Sequence, residues 1–240
     1  MRGFLDALYP PLCLICGEVS RGTFPHCCET CYDSFEPVGR SCCELCGEPF
    51  VDSPVTHLCL PCMKKRPPFS WCRGLFQYRG AVSEALLIFK YGGRISLKKP
   101  LTNALAAGIE TMEYFPEAEL LVPVPLSWRG RWKRGFNQSH VLALPLARQM
   151  GIEICTDAIK KKGNRIQVGL TAAERIINAS VSYVPGPSVE CVKGKKVLLF
   201  DDVYTTGATV KACARILGRA GADVSVLTFA RAGSPYAMGR

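Results

Sequence analysis

Residues 197–209 read Val-Leu-Leu-Phe-Asp-Asp-Val-Tyr-Thr-Thr-Gly-Ala-Thr, an apolar run that ends in two adjacent carboxylates and continues into a hydroxyl-rich glycine turn. The length and apolar content of 196–200 predict a buried strand, and Val210, Ala214 and Leu217, closed by Gly221, predict a helix over 209–220. The turn between them lies at a helix N-terminus, where unpaired backbone amides and the helix dipole favour a phosphate. Thr205, Thr206 and Thr209 add hydroxyl donors, and Gly207 lets the backbone come close. Val203, Tyr204 and Ala208 complete the cradle. Ionised Asp201 and Asp202 accept hydrogen bonds and donate none, so they suit neutral hydroxyls. At a strand's C-terminal edge they match the 2′- and 3′-hydroxyls of a ribose whose 5′-phosphate sits in the turn. Neither a Walker A loop nor a Gly-x-Gly-x-x-Gly fingerprint occurs in this segment. A buried strand with a threonine N-cap would explain the turn but not the pair of acids.

The chain has 240 residues, 48% of them apolar, enough for one large domain and a small one. Its longest apolar stretches, such as 85–89 and 120–126, fall far short of the ~18 residues that a membrane span requires. The start, Met1-Arg-Gly-Phe-Leu-Asp-Ala-Leu, carries an acid within its apolar part and runs into cysteine pairs, unlike a secretory signal, so a cytoplasmic location is expected. The formal charge of +10 is uneven: residues 1–70 hold six Lys/Arg against eight Asp/Glu, the remainder 24 against 12. A basic second part suits nucleic acid or a polyanionic small substrate, and charge alone does not choose.

Eight of the 14 cysteines fall into four Cys-x-x-Cys pairs: Cys13/Cys16, Cys28/Cys31, Cys43/Cys46 and Cys59/Cys62. Such a knuckle sets two thiolates on one side of a tight turn, and two closed four-cysteine Zn²⁺ sites result, structural because no position is left for water. In a segment with so little core the metal staples the fold. Disulfides would need an oxidising compartment that nothing in the sequence indicates. Sequential pairing of the first four and the last four cysteines is the simpler arrangement, and a cross-braced one has the same spacing. Cys27, Cys42, His26 and His57 lie near enough to substitute as ligands. Lys64-Lys-Arg-Pro-Pro ends the head, dividing the chain into 1–67 and 68–240.

Beyond it, 74–80 reads as a short strand. Residues 81–91 read as a helix with Val82, Leu86 and Phe89 inward, and Lys90 in its last turn either complements the helix dipole or serves the substrate. A second helical pattern runs from 96 to 115, ended by Pro116, and 120–125, Leu-Leu-Val-Pro-Val-Pro, is a strand whose prolines stiffen its exit at Val124. There follows Ser127-Trp-Arg-Gly-Arg-Trp-Lys-Arg-Gly-Phe-Asn-Gln, with Arg129, Arg131, Lys133 and Arg134 interleaved with Trp128, Trp132 and Phe136. As a nucleic-acid surface, its cations meet phosphates and its rings stack on unpaired bases. As a catalytic loop, it closes over a pyrophosphate and Arg131 and Arg134 meet the charge building on the leaving group.

The Asp-Asp-Val-x-Thr-Thr-Gly-Ala-Thr loop resembles the phosphoribosyl-pyrophosphate signature of the type I phosphoribosyltransferases. With the four cysteine pairs, the Val-Pro-Val-Pro strand and Arg134-Gly-Phe-Asn-Gln138, nearly the whole chain is similar to the ComF/GntX family of competence-related, phosphoribosyltransferase-like proteins. The resemblance implies an α/β fold: a type I phosphoribosyltransferase-like parallel sheet with helices on both faces, preceded by a small zinc-ribbon domain. It implies phosphoribosyl pyrophosphate as ligand, Mg²⁺ with its pyrophosphate, and a link to DNA uptake with single-stranded DNA as partner; a further alternative is that the zinc ribbons serve only to dock a helicase-like partner. The Val124 exit would be the pyrophosphate loop and Arg134–Gln138 part of the flexible loop. Asp201, Asp202, Arg131 and Arg134 would be catalytic, and Lys90 would join the substrate site.

The remaining chain adds a helix over 138–150 with Val141, Leu144 and Ala147 inward, which Pro145 should kink. A strand follows at 152–154, then a basic run, Lys160-Lys-Lys-Gly-Asn-Arg165, that faces solvent or touches DNA. A capped helix starts at Thr171 and carries Arg175 and Asn178. These two, with Gln167 and Leu170, match the family's spacing. A last strand spans 223–230. Strands alternating with helices argue for ligands at the C-terminal ends of a parallel sheet. The expected function is a phosphoribosyltransferase of unnamed acceptor in DNA uptake or processing, or else a fold that has kept its ligand as a sensor or nucleic-acid adaptor without chemistry.

Overall fold

The computed structural model describes residues 10–20, 22–50, 55–92, 95–126, 132, 135–162 and 182–233. Five strands form one parallel sheet: β1 (Trp71–Gln77), β2 (Leu120–Pro123), β3 (Glu153–Ile154), β6 (Lys196–Tyr204) and β7 (Asp223–Arg231), in the order β1-β7-β6-β2-β3. Two short strands, β4 (Ile159–Lys161) and β5 (Tyr183–Pro185), pair antiparallel beside it. The helices are α1 (Glu29–Asp33) and α2 (Leu60–Lys64) in the head, then α3 (Gly80–Tyr91), α4 (Lys98–Glu110), α5 (Gln138–Met150) and α6 (Ala208–Arg219).

Alternation along the strands makes two cores. Leu121, Leu198, Phe200, Leu227 and Phe229 face α3, α4 and α5, whereas Leu120, Val122, Val197, Leu199, Val224 and Val226 face α6 and the β4–β5 pair. Strands buried on both faces must be apolar throughout, which is why β6 and β7 read as near-continuous hydrophobic runs. Each such side chain contributes roughly 2 kcal/mol by leaving water. Helix α6 closes the second face with Val210, Ala214 and Leu217, all buried as its periodicity predicts.

Several expected boundaries move. Helix α4 stops at Glu110, and Met112 and Phe115 follow it as half-buried loop residues packed on the core. Helix α5 runs on through Pro145, and its buried stripe is Leu142, Ala143, Leu146 and Ala147, so Val141 and Leu144 lie one position to the side, half-buried. The strand expected at 74–80 begins three residues earlier, at Trp71. Strand β6 continues to Tyr204 because β7 keeps pairing with it as far as Tyr204 opposite Arg231. The helix expected from Thr171, with Gln167, Leu170, Arg175 and Asn178, lies outside the described residues.

The head repeats one unit twice. Gly17 N–H donates to Cys13 O and Gly47 N–H to Cys43 O, each at 2.9 Å, and both glycines hold positive φ in the knuckle turn. Helices α1 and α2 begin just after Cys28 and Cys59, so each pair's thiols sit at a helix start. The first unit packs with the α3–α5 core and the second with the α6 core. Residues 36–38 lie along the free edge of β1, with Val38 N–H on Leu75 O and Gln77 N–H on Glu36 O, both at 2.8 Å. Among the described residues no helix is long and apolar enough to cross a membrane.

Candidate functional site

Strands β2 and β6 are neighbours, yet the chain leaves β2 through α5 towards β3 and leaves β6 through α6 towards β7, on opposite faces of the sheet. That reversal opens a crevice beyond the C-terminal ends of the two strands, where α/β sheets take ligands. One lip is the Val-Pro exit of β2: Val124 N–H donates to Phe200 O at 2.8 Å, and Asn137 Nδ2 donates to Val124 O at 3.0 Å. The other lip is Asp201 and Asp202, within the last turns of pleat in β6 and before its end at Tyr204.

Asp201 is buried. Its Oδ1 accepts from Ser139 Oγ at 3.0 Å and from the Asp202 N–H at 2.9 Å. Burial first, then the charge of Asp202, push its carboxyl up to about 7 against the opposing pull of Lys90, the Asp202 amide and Ser139. Asp202 pairs with Lys90 Nζ at 2.9 Å, both side chains being largely covered, so Lys90 belongs to the acidic pair as well as to the end of α3. Ser139 was not legible beforehand. It stands in the first turn of α5, beside the Asn137 cap whose side chain accepts from Ser139 N–H at 3.2 Å.

After Tyr204 the chain turns through Thr205, Thr206 and Gly207 into α6. Gly207 has φ +71, and a Cβ there would overlap the Tyr204 ring and hydroxyl, so glycine is required on two counts. Thr206 Oγ1 accepts from the Ala208 N–H at 3.3 Å. Tyr204 is itself buried under the guanidinium of Arg231, 4.2 Å from its ring centre. That guanidinium pairs with Glu48 and donates from Nη1 to Cys46 O at 2.8 Å. Asp201, Asp202, Val203–Thr209, Lys90 and Val124 thus gather at the C-terminal ends of β2 and β6. Arg129, Arg131, Lys133 and Arg134 lie outside the described residues. Trp132 is exposed, and Phe136 packs at 5.2 Å on Phe89 at the edge of the core.

The thiols of Cys13, Cys16, Cys28 and Cys31 lie within 4.8 Å of one another, as do those of Cys43, Cys46, Cys59 and Cys62, the sequential pairing. Cys27 and Cys42 are buried beside these tetrads without joining them, and His57 stacks on Phe50 at 4.0 Å. The donor sets fit Zn²⁺. Burial raises the Cys43 thiol, but amide donors at Cys46, Cys59 and Leu45 outweigh it and hold the group at about 7, favouring thiolate. Bound there, zinc supplies the cross-links that a head of two five-residue helices cannot supply by apolar burial.

Fold and crevice together define a phosphoribosyltransferase-type sheet joined to a double zinc ribbon. Residues 4–64 match the double zinc ribbon domain family, and residues 137–238 the phosphoribosyl transferase domain family. The chain is 30% identical to DNA utilization protein YhgH of Escherichia coli K12, over 70% of this chain and 76% of that one. It is 27% identical to competence protein F of Haemophilus influenzae, over 72% and 78%. It is 30% identical to competence protein ComFC of Bacillus subtilis, over 65% and 62%. The chain belongs to the ComF/GntX family of competence and DNA-utilization proteins.

Proposed function

We propose that the crevice binds 5-phosphoribosyl 1-pyrophosphate and that the protein serves DNA uptake or processing in the cytoplasm, as a phosphoribosyl-transferring enzyme or a sensor of that ligand. The observation that carries the reading is buried Asp201 beside half-buried Asp202, set against the Gly207 turn, with Lys90 held at 2.9 Å from Asp202. Acids beside a phosphate cradle would repel the ester, and they gain only if neutral hydroxyls lie between.

In this reading the amides of Thr206–Thr209 and their hydroxyls hold the 5′-phosphate at the head of α6. Asp201 and Asp202 receive the 2′- and 3′-hydroxyls of the ribose. The Val124 exit, pinned by Asn137, borders the pyrophosphate. Arg131 and Arg134 would meet the charge that grows on the departing pyrophosphate as its bond to the anomeric carbon breaks, and Mg²⁺ would arrive on the pyrophosphate oxygens. The protein's share is position and field. Lys90 keeps the acidic pair from repelling itself before the sugar arrives. Residues 1–67 act as the zinc-bound unit and 68–240 as the ligand-binding unit. Single-stranded DNA and a helicase-like protein are the partners the family context suggests, with Arg129, Trp132, Lys133 and Phe136 as first candidates for contacting the strand.

Isothermal titration with phosphoribosyl pyrophosphate and Mg²⁺ tests this. Wild type should bind and Asp201→Ala/Asp202→Ala should lose at least ~tenfold, in keeping with about 1.4 kcal/mol or more of hydroxyl contacts. Equal affinity in both would remove the ribose assignment, and pyrophosphate release with candidate acceptors separates transferase from sensor.

A further inference from the structure

A groove of about 390 Å³ runs between the β4–β5 pair and α6, on the face of the sheet opposite α5. Tyr183, Pro185, Ala212 and Ile216 line it with apolar surface, and Arg215 and Arg219 stand over it, both exposed and one helical turn apart. No acid lines it, and none of the ion pairs among the described residues involves either arginine. From the strand side Lys161 lies over the Tyr183 ring, 5.1 Å from its centre. Lys160 in β4 and Lys162 just after it are exposed. Arg219, in the last turn of α6, also complements the helix dipole, but Arg215 stands mid-helix, where the dipole asks for no cation.

We infer that this groove takes a single-stranded polynucleotide: an unpaired base against the apolar floor, with the flanking phosphates on Arg215 and Arg219. A floor of this size suits one base and not the width of a duplex. Cations four residues apart on a helix rise by about 6 Å, comparable with the separation of successive phosphates on an extended strand. Tyr183, on the groove's floor, belongs to β5, which packs on α6, and α6 begins at the Thr205–Gly207 turn, so a strand lying along α6 runs towards that turn. This rests on the reading that the protein handles DNA, and places the strand on α6 in addition to the 129–136 stretch.

The test is fluorescence anisotropy with a labelled oligothymidylate and a matched duplex over a salt series, on the zinc-loaded full chain. Three proteins are compared: wild type, Arg215→Ala/Arg219→Ala, and Lys98→Ala/Lys99→Ala as a control losing the same charge from the start of α4. The groove variant should bind the single strand about tenfold or more weakly, with a salt slope shallower by roughly 1.4, the share of two phosphates on a single strand. The control should lose little, and titration with phosphoribosyl pyrophosphate should match wild type in both. Equal losses in groove and control variants mean diffuse charge and overturn the groove, as does an unchanged groove variant. An equal loss on duplex overturns the unpaired-base assignment, and a groove variant that also loses phosphoribosyl pyrophosphate overturns a separate site. If wild type binds no strand while still binding phosphoribosyl pyrophosphate, the DNA reading itself fails and this inference with it.

Discussion

Replacing Asp201 by asparagine is expected to stabilise the unliganded protein above neutral pH while weakening its ligand binding, two effects with one cause. The carboxyl is held at about 7 in the fold against an ordinary 3.8, chiefly by burial and by Asp202. A raised acid favours folding below 3.8 and loses that advantage as pH climbs to about 7, at about 1.4 kcal/mol per pH unit. Across the whole interval the ionised side chain costs the fold about 4 kcal/mol, of which about 2 falls between pH 5.5 and 7. Asparagine carries no charge, and its carbonyl oxygen still accepts from Ser139 Oγ and the Asp202 amide, which now share Oδ1. Its new NH₂ group must find a partner, which offsets about 1 kcal/mol or more, leaving a net gain of about 2 to 3 kcal/mol at pH 8. Urea unfolding of wild type and Asp201→Asn, in steps from pH 5.5 to 8, gives the difference directly, and zinc loss at low pH is common to both proteins. The reasoning fails if Asp201→Asn is the less stable protein at pH 8, or if the gap between the two does not change with pH.

Gly207→Ala forces a left-handed residue and a clash with Tyr204, so thermal unfolding should register a loss of about 2 kcal/mol or more, with weaker binding of phosphoribosyl pyrophosphate. Cys155 and Cys191 are half-buried with their sulfurs 3.0 Å apart, either side of the β4–β5 excursion. Oxidised glutathione should convert these two thiols to a disulfide and be reduced to two glutathione thiols. Mass spectrometry after alkylation should find both cysteines blocked in wild type, and Cys191→Ser should leave Cys155 without an intramolecular partner.

Periodicity carried the fold where strands and helices are regular. The apolar run before Asp201, the stripe of Val210, Ala214 and Leu217, and the valines and leucines of 223–230 all lie where a parallel sheet with helices on both faces puts them. Cysteine spacing gave both tetrads, because thiolate geometry is local. What escaped is non-local. The β4–β5 pair joins residues 159–161 to 183–185 across more than twenty positions, with no alternation long enough to announce a strand. Ser139 reaches Asp201 only because α5 packs beside β2 and β6, and nothing in Asn137-Gln-Ser distinguishes a partner of a buried acid from an ordinary cap. The offset in α5 has the same origin. Val141 and Leu144 fit a helical stripe as well as Leu142 and Leu146 do, and contact with the sheet decides between them. Arg231 lies one residue beyond the strand read at 223–230, yet it closes β7 and is buried beneath the second ribbon.

That arginine makes the two halves of the molecule interdependent. Its guanidinium lies over the Tyr204 ring at 4.2 Å, pairs with Glu48, and donates to the carbonyl of Cys46, a member of the second tetrad. Tyr204 in turn fills the space above Gly207, so the Thr205–Gly207 turn is braced through three contacts by the second cysteine knuckle. The first tetrad packs with the α3–α5 core on the far face of the sheet. Cys46→Ser and Cys28→Ser should each reduce bound zinc from two to one by metal analysis, yet only Cys46→Ser should weaken phosphoribosyl pyrophosphate binding. Arg231→Met keeps the stem's packing and both tetrads while removing the brace, so it should reproduce that weakening with two zinc ions still bound. A half-buried Glu48 deprived of its partner adds a further cost to the same variant, and Arg231→Met/Glu48→Gln removes that charge without restoring the brace. If the double variant binds phosphoribosyl pyrophosphate as wild type does, the second ribbon is a staple for the head alone and the turn stands without it.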